Sequence, residues 1–281
     1  DWSSDVCSSD LISELIGAMP SEIIFTASGT EANNLAIKGF FWQSGKKLIV
    51  TSAFEHHAVL DPIEWLKEHQ GAEVIYIPIK RDGFIDLEFL KDVVAKRRNE
   101  IAVISIMHSN NELGSIQPIA EVVQIAGAIP VHTDAVQSFG KIPFNFEELG
   151  VSAATLSAHK IGGPLGVAAL VLKHGIDLAP LLHGGGQERE IRSGTINAPG
   201  IVAFAKAAEI AIATRESNFK VIRELRDQLI TGLKHAVSDV IINSPTDPAL
   251  PGVVNISIPG TESDALLLLL DSEGVSASAG S

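Results

Sequence analysis

The 281-residue sequence holds a single cysteine, Cys7, so no disulfide can form within the chain. That usage fits a reducing compartment and sets the expectation of a cytoplasmic protein. Basic residues are scarce: 21 Lys and Arg stand against 34 Asp and Glu, a formal charge of -13. A chain this acidic lacks the cations that neutralise phosphates, which argues against nucleic-acid binding. Long apolar runs are missing too. Ala265–Leu270 is far shorter than the roughly 18 residues of a membrane span, so no membrane partner is expected. No basic region followed by an apolar one marks a secretory signal. No CxxC or HExxH spacing supports a metal site, and none is expected.

What is present is a large apolar fraction, 46%, enough for a sizeable core. Short β-branched runs at 23–26, 47–51, 73–77, 102–107, 130–133, 153–157 and 166–172 read as strands. Stretches with apolar residues three and four apart lie between several of them, at 33–39, 59–69, 87–96 and 118–126. This alternation predicts an α/β fold, a mostly parallel sheet flanked by helices. Residues 160–165 are too few for a parallel crossover, so one strand there is expected to be antiparallel. Two helices, 199–213 and 216–236, then a strand at 252–258 and a helix at 263–270, suggest a smaller α+β unit. The expected division is a large domain over 12–205 and a partial small C-terminal domain over 206–281. Residues 1–11, with Ser and Asp in a near-repeat and no apolar period, read as a probable artefact, and the sequence reads as a fragment truncated at both ends.

Several motifs sit at strand ends. Ala27–Glu31 is a turn of small residues opening a helix; Gly29 and Thr30 suit a phosphate, although an ordinary helix cap reads the same. In Glu55-His56-His57, a flat imidazole suits stacking on a ring or proton transfer, and a surface histidine is the plainer alternative. Asn110-Asn111-Glu112 either turns the chain or offers hydrogen bonds. Asp134 can pair with a protonated pyridine nitrogen or cap the next helix, and Gln137 lies on the same helical face. Ser157-Ala158-His159-Lys160 runs into Gly162-Gly163. Lys160 is flanked by small residues and a tight turn, which can hold an amine for a Schiff base, while Ser157 and His159 could reach a phosphate. Gly184–Gly186 with Arg192 and Thr195 suit an anion, often across a subunit boundary, or form a flexible loop. Together these place phosphate donors, a stacking ring, a pyridine-nitrogen partner and an amine at successive strand ends, as one shared site would require.

The motifs FTASGTEANNLAIKG, EHHAVLD, MHSNNELGSIQP, HTDAVQSFGK, SAHKIGGPLG and GGGQEREIRSGT resemble those of cysteine desulfurases, class V aminotransferase relatives with fold type I. The resemblance runs from about Ile12 to Ser281. It implies pyridoxal 5'-phosphate (PLP) as cofactor and L-cysteine as substrate. Products would be L-alanine and a persulfide, whose sulfur passes to an iron–sulfur scaffold or thiolation enzyme. By motif, Lys160 would be the Schiff-base lysine that removes the α-proton, Asp134 the pyridine-nitrogen partner and His56 the stacking ring. Asn111 and Gln137 would bond the ring side, with Gln137 near the phenolic oxygen. Gly29, Thr30, Ser157 and His159 would hold the phosphate, and Thr195 would reach the phosphate of a neighbouring subunit in a homodimer.

In that family the persulfide-forming cysteine follows a GSAC-like stretch, and this sequence ends at Ala279-Gly280-Ser281. Cys7 matches no family position, so the fragment itself is expected to be inactive although its parent is an enzyme. Two rival readings stand beside this one. One is another class V PLP enzyme, an aminotransferase or selenocysteine lyase; the other is a non-catalytic chain that binds a partner.

Overall fold

A computed structural model describes residues 2–280. It opens with α1 (Trp2–Ile16), then alternates β1 (Ile23–Thr26), α2 (Gly29–Ser44), β2 (Leu48–Ser52), α3 (His57–Gln70), β3 (Glu73–Ile77), α4 (Leu87–Arg97) and β4 (Ile101–Ser105). Next come α5 (Ile119–Ala126), β5 (Val131–Asp134), α6 (Phe146–Leu149), β6 (Ala153–Ser157) and β7 (Ala168–Leu172). The chain continues through α7 (Ala198–Ala236), β8 (Ile241–Ile242), β9 (Ile256–Ser257) and α8 (Ser263–Ser272).

Seven strands form one sheet in the order β1-β7-β6-β5-β4-β2-β3. β7 runs antiparallel to both of its neighbours and every other pairing is parallel, as the short 160–165 connection demands. The alternation of side chains along a strand sends them to two separate cores. Ile23, Phe25, Leu48 and Val50 join one core with Ile12, Leu90, Val122 and Phe204. Ile24 and Ile49 join the other with Leu35, Phe40, Val59 and Ile63. Helices therefore cover both faces, and the fully buried strands read as continuous apolar runs.

Helix ends follow local chemistry. The side chains of Ser28, Asp86 and Asn145 accept from free backbone N–H groups at the starts of α2, α4 and α6. Gly45 and Gly71 close α2 and α3 with left-handed backbone, φ 65° and 68°.

Two expectations change. The 199–213 and 216–236 stretches are one 39-residue helix, α7, which crosses the expected boundary at 205/206. Thr214-Arg215-Glu216 contains neither Gly nor Pro, so nothing stops helix propagation there. Residues 2–11, set aside in the sequence reading, continue the same helix as buried Ile12 and Ile16. The side chain of Cys7, like residues 1 and 281, lies outside the described residues.

The C-terminal part holds only the two-residue pair β8–β9 and α8. It is pinned to the large unit by Leu250 N–H donating to Gly114 O at 2.7 Å. Buried Arg226 on α7 ties the same part down, donating to the carbonyls of Val253 at 3.0 Å and Pro245 at 2.7 Å. These bonds brace the loop that follows β4.

Candidate active site

β1, β2, β4, β5 and β6 point the same way, so the segments after them gather along one edge of the sheet, the usual ligand edge of an open α/β fold. After β1, Gly29 opens α2. A Cβ placed on it would lie 3.2 Å from Val136 Cγ2 and 3.7 Å from Ser157 Cβ. The helix N-terminus is thus pressed against the ends of β5 and β6, and a larger residue at 29 would crowd it. Ser28 is used as the cap, its Oγ accepting from Glu31 N–H at 3.1 Å. Thr30 is exposed beside it.

At the end of β5, Asp134 is buried. Its Oδ2 accepts from Asn33 Nδ2 at 2.7 Å and its Oδ1 from Val136 N–H at 2.9 Å. Burial pushes its carboxyl above the usual aspartate range. The Val136 and Asn33 hydrogen bonds, then the charges of His56 and Lys160, pull the other way. The amine at 160 and the imidazole at 56 thus lie near enough to the carboxyl at 134 for their charges to act on it.

His56 caps α3, with Nδ1 accepting from Ala58 N–H at 3.0 Å, so the ring's remaining edge is Nε2. Neighbouring His57 turns outward and pairs with Asp61. After β4, Asn110 builds the turn. Its Oδ1 accepts from Glu112 and Leu113 N–H and its Nδ2 donates to Phe54 O. Asn111 is half-buried, with no side-chain hydrogen bond among the described residues. At the end of β6, Ser157 Oγ and His159 Nδ1 lie 2.8 Å apart. Burial, then the charges of Lys160 and Lys141, lower the His159 ring's affinity for a proton.

Lys160 sits on a 3₁₀ turn, Ala158–Ile161, and is exposed. A short turn lifts the side chain off the sheet, so its neighbours' charges set its surroundings. Thr195 is also exposed. It lines a cavity of about 80 Å³ with Thr26, Ala27, Gly166 and Arg192. Arg192 is committed to Glu31 at 2.7 Å.

Sequence reasoning assigned no role to Asn33, Glu55, His132 or Lys141. Asn33 is a carboxamide among Ala32, Leu35 and Ala36 on the buried face of α2, and that polar interruption was the available signal. Glu55 is buried. Its Oε1 accepts from Ser52 Oγ at 2.6 Å and Met107 N–H at 3.1 Å, while Oε2 has no partner. Burial pushes its carboxyl up to about 8. His132 is fixed between Ser105 Oγ and Thr155 Oγ1, and burial lowers it to about 3, so it stays neutral. Among the described residues no cluster of His, Cys, Asp and Glu could hold a metal ion.

The donor set fits a phosphorylated pyridine aldehyde. A close-packed helix N-terminus with Ser157 suits the phosphate. A buried carboxylate suits a protonated ring nitrogen, and an accessible amine suits the aldehyde.

The family model described as "Aminotransferase class-V" matches residues 8–281. The "IscS-like cysteine desulfurase" of Mycobacterium tuberculosis is 44% identical over 280 residues, covering 97% of this chain and 71% of the relative. "Cysteine desulfurase IscS" of Dictyoglomus turgidum is 46% identical over 274 residues, 96% of this chain and 68% of the relative. Among solved structures, a "NIFS-LIKE PROTEIN" superposes with a TM-score of 0.93 at 37% identity, covering 98% of this chain and 75% of that one. DndA from Streptomyces lividans gives 0.85 at 34%, covering 96% and 77%.

Proposed function

Because the chain belongs to the class V aminotransferase family, among its IscS- and NifS-like cysteine desulfurases, we propose that its ligand edge binds PLP and L-cysteine through the residues after β1, β2, β4, β5 and β6. The enzyme is a PLP-dependent cysteine desulfurase, which takes sulfur from L-cysteine and hands it to an acceptor. PLP, when bound, supplies an aldehyde for an amine and a ring that accepts the electrons left at the substrate's α-carbon.

Lys160 would hold the cofactor through Nζ and, once released by the substrate's amine, take the α-proton at that same nitrogen. Asp134, steadied by Asn33, would keep the ring nitrogen protonated. His56 would lie against the ring, with Asn111 and Gln137 at its edge. Gly29, Thr30, Ser157 and His159 would take the phosphate. The observation that carries this reading is buried Asp134 at the end of β5, held by Asn33 Nδ2 at 2.7 Å on the same sheet edge as the segments that bear His56 and Lys160.

We assign the acceptor to an iron–sulfur scaffold or thiolation enzyme and place the enzyme in the cytoplasm, where thiols stay reduced. Among the described residues no helix is long and apolar enough to cross a membrane. A homodimer would let Thr195, exposed on its loop, reach the neighbouring copy's phosphate.

Titrating the chain with PLP should raise a visible absorption band, and L-cysteine should change it where D-cysteine does not. A chain that gains no band refutes the reading. Asp134→Asn should still gain a band, but the L-cysteine-driven change should be slower by roughly 10²-fold, because a neutral amide no longer favours a protonated ring nitrogen. Stopped-flow absorbance reads that rate, and an unchanged rate removes Asp134 from its role.

A further inference from the structure

Lys141 is a half-buried cation without a carboxylate. Its Nζ donates to Gln137 Oε1 at 2.7 Å, and no ion pair to it exists among the described residues. Both side chains line a cavity of about 510 Å³ closed by Ile161, by Ile210 and Arg215 of α7, and by the 250–253 turn. Arg215 is the other charged residue in that lining, and no acid is there. Holding a cation in such a place without a carboxylate partner costs stability. Burial, then the Lys160 charge, indeed weakens Lys141's hold on its proton.

The placement is rigid. Gly140 has φ +72°, and a Cβ there would come within 2.7 Å of Ile161 Cγ2 and 3.1 Å of Ala211 Cβ. The segment is therefore pressed against the turn that carries Lys160. Backbone bonds from Lys141 and Ile142 N–H to Ser138 O, at 3.0 and 3.1 Å, hold it in register.

An ammonium has three donors and no acceptor, so the Gln137 atom facing Lys141 must be its carbonyl oxygen. The NH₂ group of Gln137 then faces away and is free to donate. We propose that Lys141 is a positioning residue: it locks the Gln137 amide so that NH₂ is offered to an anionic oxygen on the cofactor ring, and it keeps a positive charge beside the Lys160 amine. The inference rests on the PLP reading above. The groups facing Lys141 are Gln137 on its own segment, Lys160 and His159 on the turn after β6, and Arg215 on α7.

Removing Lys141 lets the amide turn its carbonyl toward that oxygen and deletes a positive charge. Both effects favour protonation of the bound chromophore. In the PLP-loaded chain, Lys141→Met should therefore move the pH midpoint of the visible band alkaline by about one pH unit. Lys141→Arg, which keeps donor and charge, should leave it near that of the unchanged chain. In a Gln137→Ala background, Lys141→Met should move it clearly less, because the amide it steered is gone. No movement in Lys141→Met overturns the inference while the PLP reading stands. An equal movement in both backgrounds overturns the steering of Gln137. Should Lys141→Met fail to fold by circular dichroism, Lys141→Gln is read against the same outcomes. If the unchanged chain takes up no PLP, both readings fall together.

Discussion

Lys160→Ala is expected to abolish covalent PLP capture. With the unchanged chain, borohydride reduction followed by digestion should leave the cofactor's mass on the peptide that carries Lys160. In the variant that mass should vanish, and the visible band should fall to that of free PLP. Proton removal from a bound amino acid should slow by at least about 10²-fold, the usual contribution of a positioned acid–base group. The variant should nevertheless fold normally. Lys160 is exposed on its 3₁₀ turn, and replacing an exposed side chain away from caps and pairs changes stability by about 0.5 kcal/mol or less. A lost band with an unchanged Tm therefore isolates chemistry from folding. Lys141 serves as an internal control, because it lies close enough to lower the His159 ring's proton affinity together with Lys160. Cofactor mass on the Lys141 peptide, or a band that persists in Lys160→Ala, would assign the amine elsewhere.

Glu55→Gln should make the protein more stable at alkaline pH and leave it nearly unchanged in acid. Burial raises the Glu55 carboxyl to about 8 from an ordinary 4.5. In the unfolded chain Glu55 gives up its proton as pH passes 4.5, whereas the native protein keeps it until about 8. Across that window the native state binds more protons, so stability is full below 4.5, falls with rising pH, and has lost this contribution above 8. A displacement of that size corresponds to a loss on the order of 5 kcal/mol.

Glutamine removes the titration while its carbonyl can still accept from Ser52 and Met107. Chemical denaturation at about pH 4.5 and about pH 9 should show the two proteins equal at the first and separated at the second. Asp134, also raised by burial, leaves the variant a residual slope of the same sign. Glu73 and Glu100 are lowered by their hydrogen bonds to Arg97, so they act with the opposite sign and at more acid pH. Parallel stability curves for the two proteins would show that Glu55 is ionised throughout. The neutral carboxyl also matters locally, because Glu55 is electrostatically coupled to Asp134 and a second charge there would disturb the carboxylate assigned to the ring nitrogen.

Much of the scaffold could be read in advance because its signals are local. The runs at 23–26, 73–77 and 153–157 coincide with β1, β3 and β6, since β-branched and apolar residues between turns leave little choice. That one strand at the 160–165 connection runs antiparallel followed from connection length, and the pairing shows that it is β7. α7 was misread as two helices because its apolar stripe loses regularity near Thr214, and a sequence pattern does not show that backbone hydrogen bonding continues through it. The strand expected over 252–258 shrank to Ile256–Ser257, paired only with Ile241–Ile242. Pairing depends on a partner strand, and that information is not local.

The candidate site divides in the same way. Gly29, His56, Asp134, Ser157 and Lys160 could be put forward from the sequence because Asp134 and Ser157 end β5 and β6 and the other three follow β1, β2 and β6, at the edge where an α/β sheet presents its ligands. Asn33 and Glu55 were not, because their meaning comes from what lies across the fold. Asn33 is 101 residues from the carboxylate it holds, and Glu55 is 52 residues from Met107.

The amino-acid sequence alone determined the order of strands and helices, the turn residues between them and the chemical inventory at each strand end, because these depend on neighbours a few positions away. The tertiary structure alone decided which groups are buried, which carboxyls burial pushes upward, that Lys160 stands exposed, and that Lys141 faces the Gln137 carbonyl. Those properties arise from desolvation and from charges brought together across the sheet, and no linear pattern carries either.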